Sequence, residues 1–207
     1  MRYSPLFDPA TGFGGNVAAN TYSSLTDNDG LAHPLALPAY EAGGCIGDGP
    51  FKGAAVHVGP NVRYTDHCTV RNFLITEDLR PIFTQANFNN ILSQTNYDNL
   101  WNSMDGFPFK TAPALHDSGH GFMGGDMASY YTSTNDPVFY LHHAGVDRIW
   151  WQWQAANLNT RLNQIQGKTS PYPPYGSITP NFQLPFQPFA PNVVGMDIRN
   201  EPYCYTY

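Results

Sequence analysis

Three histidines carry the chemistry open to this chain. His116 and His120 stand in Ala-Leu-His-Asp-Ser-Gly-His-Gly-Phe, and His143 in Asn-Asp-Pro-Val-Phe-Tyr-Leu-His-His-Ala-Gly-Val-Asp-Arg-Ile-Trp. A spacing of i, i+4 places the first two on one helix face, a turn apart. A third imidazole from a second helix completes a three-nitrogen set. Imidazole suits copper and zinc, and three such ligands leave a coordination position open for chemistry. A lone His is usually an ordinary core or surface residue. A helical pair plus a His inside an aromatic helix points to a site instead. A zinc peptidase would need His-Glu-x-x-His with Glu as general base, and Asp117 is one methylene too short for that role.

His142 lies about 100° from His143 around the helix axis. It is expected as a buried, hydrogen-bonded support and not as a ligand. Asp147, one turn beyond His143, could accept a bond from an imidazole N–H or pair with Arg148.

The elements that must position these residues follow from periodicity. Thr84 reads as an N-cap before Phe88, Ile91 and Leu92 at helical spacing. A second short helix is predicted over Tyr97 to Met104, ended by Gly106-Phe107-Pro108. Pro113 is expected to open the helix of His116 and His120, and Gly124-Gly125 to close it. Asp136 should cap the longest helix, with Pro137 at its first position and its end near Asn157. Phe139, His143, Val146, Trp150 and Trp153 form its expected core-facing stripe. Ala55-Val56-His57-Val58 reads as an edge strand. The proline-rich stretch after Leu162 carries interleaved aromatics, so it is expected to pack on the core.

Composition bounds the rest. The 207 residues suit one domain, 1–207. Net charge is −6 with ten Lys plus Arg and no basic cluster, which argues against nucleic acid and anionic membranes. No apolar run is long enough to span a bilayer, and the first residues lack a signal peptide's apolar stretch. Nineteen Gly and eighteen Pro predict a mainly α, loop-rich fold with little β. Cys45, Cys68 and Cys204 allow one disulfide and one odd thiol, with the pairing open.

His116-x3-His120, Gly124-Gly125-Asp126-Met127 and Asn135-Asp136-Pro137-Val138-Phe139-Tyr140-Leu141-His142-His143, followed by Asp147-Arg148 and Trp150, resemble the second copper site of the tyrosinase, or polyphenol oxidase, family. The likeness is narrowest to its short fungal members. It is specific over 113–154 and extends to Asp8-Pro9-Ala10-Thr11-Gly12-Phe13-Gly14-Gly15, Gly49-Pro50-Phe51 and the closing Tyr203-Cys204-Tyr205-Thr206-Tyr207.

The resemblance implies half of a type-3 copper four-helix bundle, with two antiparallel ligand helices and the second-copper region at 113–157. It implies His116, His120 and His143 as ligands of one copper ion, where the complete family site holds two. It places Ser133 at a substrate gate and Asp117 and Gly121 beside the pocket. Asp117 stands where many members carry Asn, Thr134 where Pro is common, and Gly145 where a larger residue is usual. A helix-interior Gly would loosen that helix by about 1 kcal/mol.

The first-copper half of the family pattern is missing. His33, His57, His67 and His142 form no helical pair that would rebuild it. The resemblance implies oxidation of o-diphenols, and in tyrosinases also of monophenols, to o-quinones with O2. The chain alone is expected to be incomplete: a fragment, a subunit needing a partner chain with the first site, or a vestigial one-copper module. Relatives are often secreted, but the compartment stays open. A mononuclear hydrolase is the weakest reading, since Asp117 is its only base.

Overall fold

The computed structural model describes residues 4–15, 17, 43–59, 64–73, 81–106, 112–170, 173–184 and 191–207. The fold is mainly α, as expected. It has helices α1 (Gln85–Leu92), α2 (Tyr97–Met104), α3 (Leu115–Met123), α4 (Val138–Ala155) and α5 (Leu158–Arg161). Two small antiparallel sheets pair β1 (Gly44–Cys45) with β4 (Val70–Arg71) and β2 (Ala55–Val58) with β3 (Tyr64–Cys68). Among the described residues no helix is long and apolar enough to cross a membrane. The chain divides into two compact units, Met1–Phe83 with Thr111–Ala144, and Thr84–Lys110 with Gly145–Tyr207.

The first unit holds the histidines. Its core is Phe7, Phe73, Phe122, Met123, Met127 and Val138, with Phe13, Val17 and Phe139 packed against it. Each such side chain contributes roughly 1.5–3 kcal/mol on full burial. The Asp8 carboxylate closes the turn between Phe7 and Phe13 by accepting from the amides of Ala10 and Thr11, each at 2.8 Å. Arg71 is wholly buried. Its Nε and Nη2 donate to the Asp136 carboxylate at 2.6 and 2.9 Å, and its Nη1 to the Gly14 carbonyl at 2.6 Å. Asp136 also accepts from the Val138 amide at 2.9 Å, so one carboxylate caps α4 and ties it to β4. A disulfide joins Cys45 of β1 to Cys68 of β3, and Cys204 is an exposed free thiol.

Most element boundaries follow the expectation, including the Thr84 cap and the strand over Ala55–Val58. α3 starts two residues later than Pro113 predicts. The Asp117 carboxylate accepts from the Ala114 amide at 3.3 Å, which sets the cap after the proline. The expected core stripe of α4 needs correction. Trp153 is fully buried, but Trp150 is only half-buried, while Ile149, Trp151 and Gln154 are buried. In the second unit the tail covers a further side of the helix. The Arg199 guanidinium lies 5.4 Å over Trp151, and Gln154 donates to the Met196 carbonyl at 3.2 Å.

Candidate metal centre

α3 presents His116 and His120 one turn apart, and the first turns of α4 present His142 and His143. His120 reaches back to Phe139 as well as to His142 and His143, while His116 lies against His142 and His143, as in antiparallel neighbours. The Nε2 atom of His120 is 3.2 Å from Nε2 of His116 and 3.2 Å from Nε2 of His143. Two nitrogens bound to one ion at about 2.0–2.1 Å in near-tetrahedral geometry stand about 3.3 Å apart. The spacing therefore fits a shared ion.

The tautomers support the same arrangement. Nδ1 of His120 is 2.7 Å from the Met127 carbonyl, which can only accept. The ring proton therefore sits on Nδ1, leaving the Nε2 lone pair facing the other two rings. Gly125, at φ +55°, lets the chain turn back so that Met127 reaches His120. A Cβ there would meet the Val70 carbonyl. His143 is held by Phe139, ring centroids 4.1 Å apart.

His142 is the fourth imidazole of the cluster, and the three rings whose ligand atoms all lie within 4.8 Å of one another are His116, His120 and His142, without His143. The Nε2 of His142, however, is 2.9 Å from the His116 carbonyl, so that nitrogen carries the proton and donates it. Its ring edge also abuts Gly119: a Cβ at that position would lie 2.6 Å from Nδ1 and 2.8 Å from Nε2. Both nitrogens are turned toward the α3 backbone. The geometry therefore favours His143 over His142 as the third donor.

Burial pushes the His120 imidazole down to about 3 and that of His142 to about 4, with neighbouring imidazoles adding to the effect. Both rings are neutral at pH 7, the form a metal needs.

Asp117 caps α3, and its Oδ1 stands 3.6 Å from His116 Nδ1. Ser133 opens a 3-10 turn, Ser133–Asn135, just before the α4 cap. Gly121 is buried inside α3. Asp147 accepts neither an imidazole proton nor an Arg148 bond. Its Oδ2 takes the hydroxyls of Tyr205 and Tyr207 at 2.6 and 2.8 Å, within the second unit. The Tyr-x-Tyr end of the chain thereby latches onto α4. His57 is 2.7 Å from Asp66, and His67 Nδ1 is 2.8 Å from the Thr65 carbonyl, both in the β2–β3 sheet. His33 lies outside the described residues.

Sequence reasoning missed Gly119, the Met127 carbonyl and Asp126. Asp126 is buried and accepts from the Val70 amide at 2.8 Å and from Asn135 at 3.1 Å. Burial pushes its carboxyl up, against the pull of those bonds. The Gly-Gly-Asp-Met turn was visible in the sequence, but not which carbonyl it would return to His120.

Residues 3–156 match the family model described as the common central domain of tyrosinase. The chain is 33% identical over 181 residues to the tyrosinase-like protein phomQ1 of Diaporthe leptostromiformis, covering 81% of this chain and 41% of that protein. It is 31% identical over 234 residues to tyrosinase P of Aspergillus terreus, covering 100% of this chain and 64% of that one. The solved structure of a mutant polyphenol oxidase from Thermothelomyces thermophila shares the fold, with a TM-score of 0.78 at 23% identity. It covers 100% of this chain and 62% of its own. The chain thus spans less than two thirds of the length of these relatives.

Proposed function

The chain belongs to the tyrosinase family, and from that premise we propose that it is a copper-binding oxidoreductase region acting on phenols. His116, His120 and His143 hold one copper ion. The carrying observation is the pair of 3.2 Å separations at His120 Nε2, with its lone pair fixed inward by the Met127 carbonyl. The donor set is all imidazole, which suits copper.

When bound, copper supplies the redox chemistry with O2; the protein positions and shields it. His116, on the first turn of α3, is partly exposed, with 24% of its side chain open. A phenol ring can therefore approach this edge of the cluster. The proposed reaction takes two electrons and two protons from an o-diphenol to give the o-quinone, with O2 as acceptor. Ser133, Asp117 and Gly121 are proposed beside the approach. In the described residues His57 and His67 are engaged in the β2–β3 sheet. One ion per chain is therefore proposed, with turnover depending on a second ion held by a further polypeptide segment or partner chain.

Elemental analysis paired with catechol oxidation tests this. About one copper per chain, lost in His120→Ala, is expected, with turnover appearing only when a polypeptide carrying the missing donors is added. Copper binding unchanged in His120→Ala would defeat the assignment. One copper per chain with no turnover under any complementation would favour a non-enzymatic copper-binding module.

A further inference from the structure

We propose that Gly119 is a socket for the His142 ring, and that the seated ring is a positioning residue that aims His116 and His143 at His120. The inference rests on the copper reading above. Gly119 lies in the interior of α3, with no positive φ to require glycine. Its missing side chain is explained by space alone. A Cβ there would collide with Cε1 of His142 and crowd both ring nitrogens, and no other residue supplies its nearest atoms.

The seated ring does two things. It donates from Nε2 to the His116 carbonyl at 2.9 Å. It also lies nearly parallel to the His116 imidazole, with centroids 5.5 Å apart and planes 15° from each other. It thus fixes both the backbone and the ring face of one ligand. His143 is the next residue on α4, so any withdrawal of His142 from α3 carries His143 with it. The two differ by one helical step, about 1.5 Å of rise and 100° of rotation. Metal–ligand distances tolerate only about 0.2 Å of change. A methyl at 119 needs several times that clearance, since its nearest ring nitrogens would stand at 2.6 and 2.8 Å. The seat of His142 therefore sets the 3.2 Å gap between His143 and His120, without His142 touching the ion. Support of this kind, one shell out from the metal, typically matters 10–100-fold in affinity.

The test uses the full chain, loaded with Cu(II) against a competing chelator and read by electron paramagnetic resonance. Gly119→Ala and His142→Phe should each weaken copper binding about 10–100-fold and change the copper hyperfine coupling. His142→Gln keeps an N–H for the His116 carbonyl and should recover part of the loss. The double variant Gly119→Ala/His142→Ala should be no worse than His142→Ala alone, because the methyl then enters empty space. Wild-type affinity and spectrum in Gly119→Ala overturn the proposal, as does a double-variant loss equal to the sum of the single losses. Should Gly119→Ala fail to fold, His142→Phe decides alone, and wild-type binding in that folded variant is a refutation. If His120→Ala binds copper as tightly as wild type, the copper reading itself has failed, and this inference falls with it.

Discussion

At the residue scale, the four imidazoles of this cluster differ in what their second nitrogen does. His120 gives its Nδ1 proton to a carbonyl and keeps a lone pair inward; His142 spends its Nε2 proton on the α3 backbone. Burial lowers both rings well below the ordinary 6.5, to about 3 and about 4. The sign follows from linkage. As pH falls below 6.5 the unfolded chain takes up protons that these buried rings refuse, so stability falls with pH. The melting temperature of the copper-free chain should decline from pH 7 to about pH 5, above the ordinary carboxylate range. Replacing His142 by Phe should flatten part of that slope. A melting temperature independent of pH across this window would show that the rings are not buried as neutral groups.

At the element scale, substitutions at the start and in the interior of α4 have opposite expectations. Its start hangs on Asp136, held by the buried Arg71 guanidinium. Arg71→Met strands that carboxylate without its cation, and removing one partner of a buried pair costs about 3–5 kcal/mol. Denaturant unfolding of Arg71→Met should read a loss of that size; under 1 kcal/mol would mean that the pair adds little to the hold on α4. Gly145 lies in the helix interior, where a Cβ would meet nothing within 4 Å. Gly145→Ala should therefore stabilise the chain by up to about 1 kcal/mol through helix propensity alone. Copper affinity should stay the same, and a drop in melting temperature would show a hidden clash.

At the scale of the whole molecule, a covalent link ties the two small sheets together, joining β1 to β3. Cys45 and Cys68 close a separation of 23 residues. A loop of that length stabilises by roughly 3 kcal/mol through the unfolded state. Mild reduction, or Cys45→Ser with Cys68→Ser, should lower the melting temperature by several degrees. Equal melting in reduced and oxidised protein would show that the β1–β4 and β2–β3 pairings hold without the bridge. Copper should add its own stabilisation, growing with the logarithm of free copper above its dissociation constant.

Some of this molecule is settled by local sequence. The i, i+4 spacing of His116 and His120, the Thr84 and Asp136 caps and the mainly α character need only helix period and capping chemistry. Those forces act within a turn or two of chain. Other features depend on chain segments far apart in sequence. Arg71 finds Asp136 across 65 positions, and Asp126 finds the Val70 amide across 56. The partly buried Trp150, the turn of Asp147 toward Tyr205 and Tyr207, and the Gly119 socket likewise come from neighbours that only packing brings together. Periodicity tells which face of a helix is apolar; which neighbour fills the space opposite a missing Cβ is decided by the tertiary fold, because that contact has no local energetic signature.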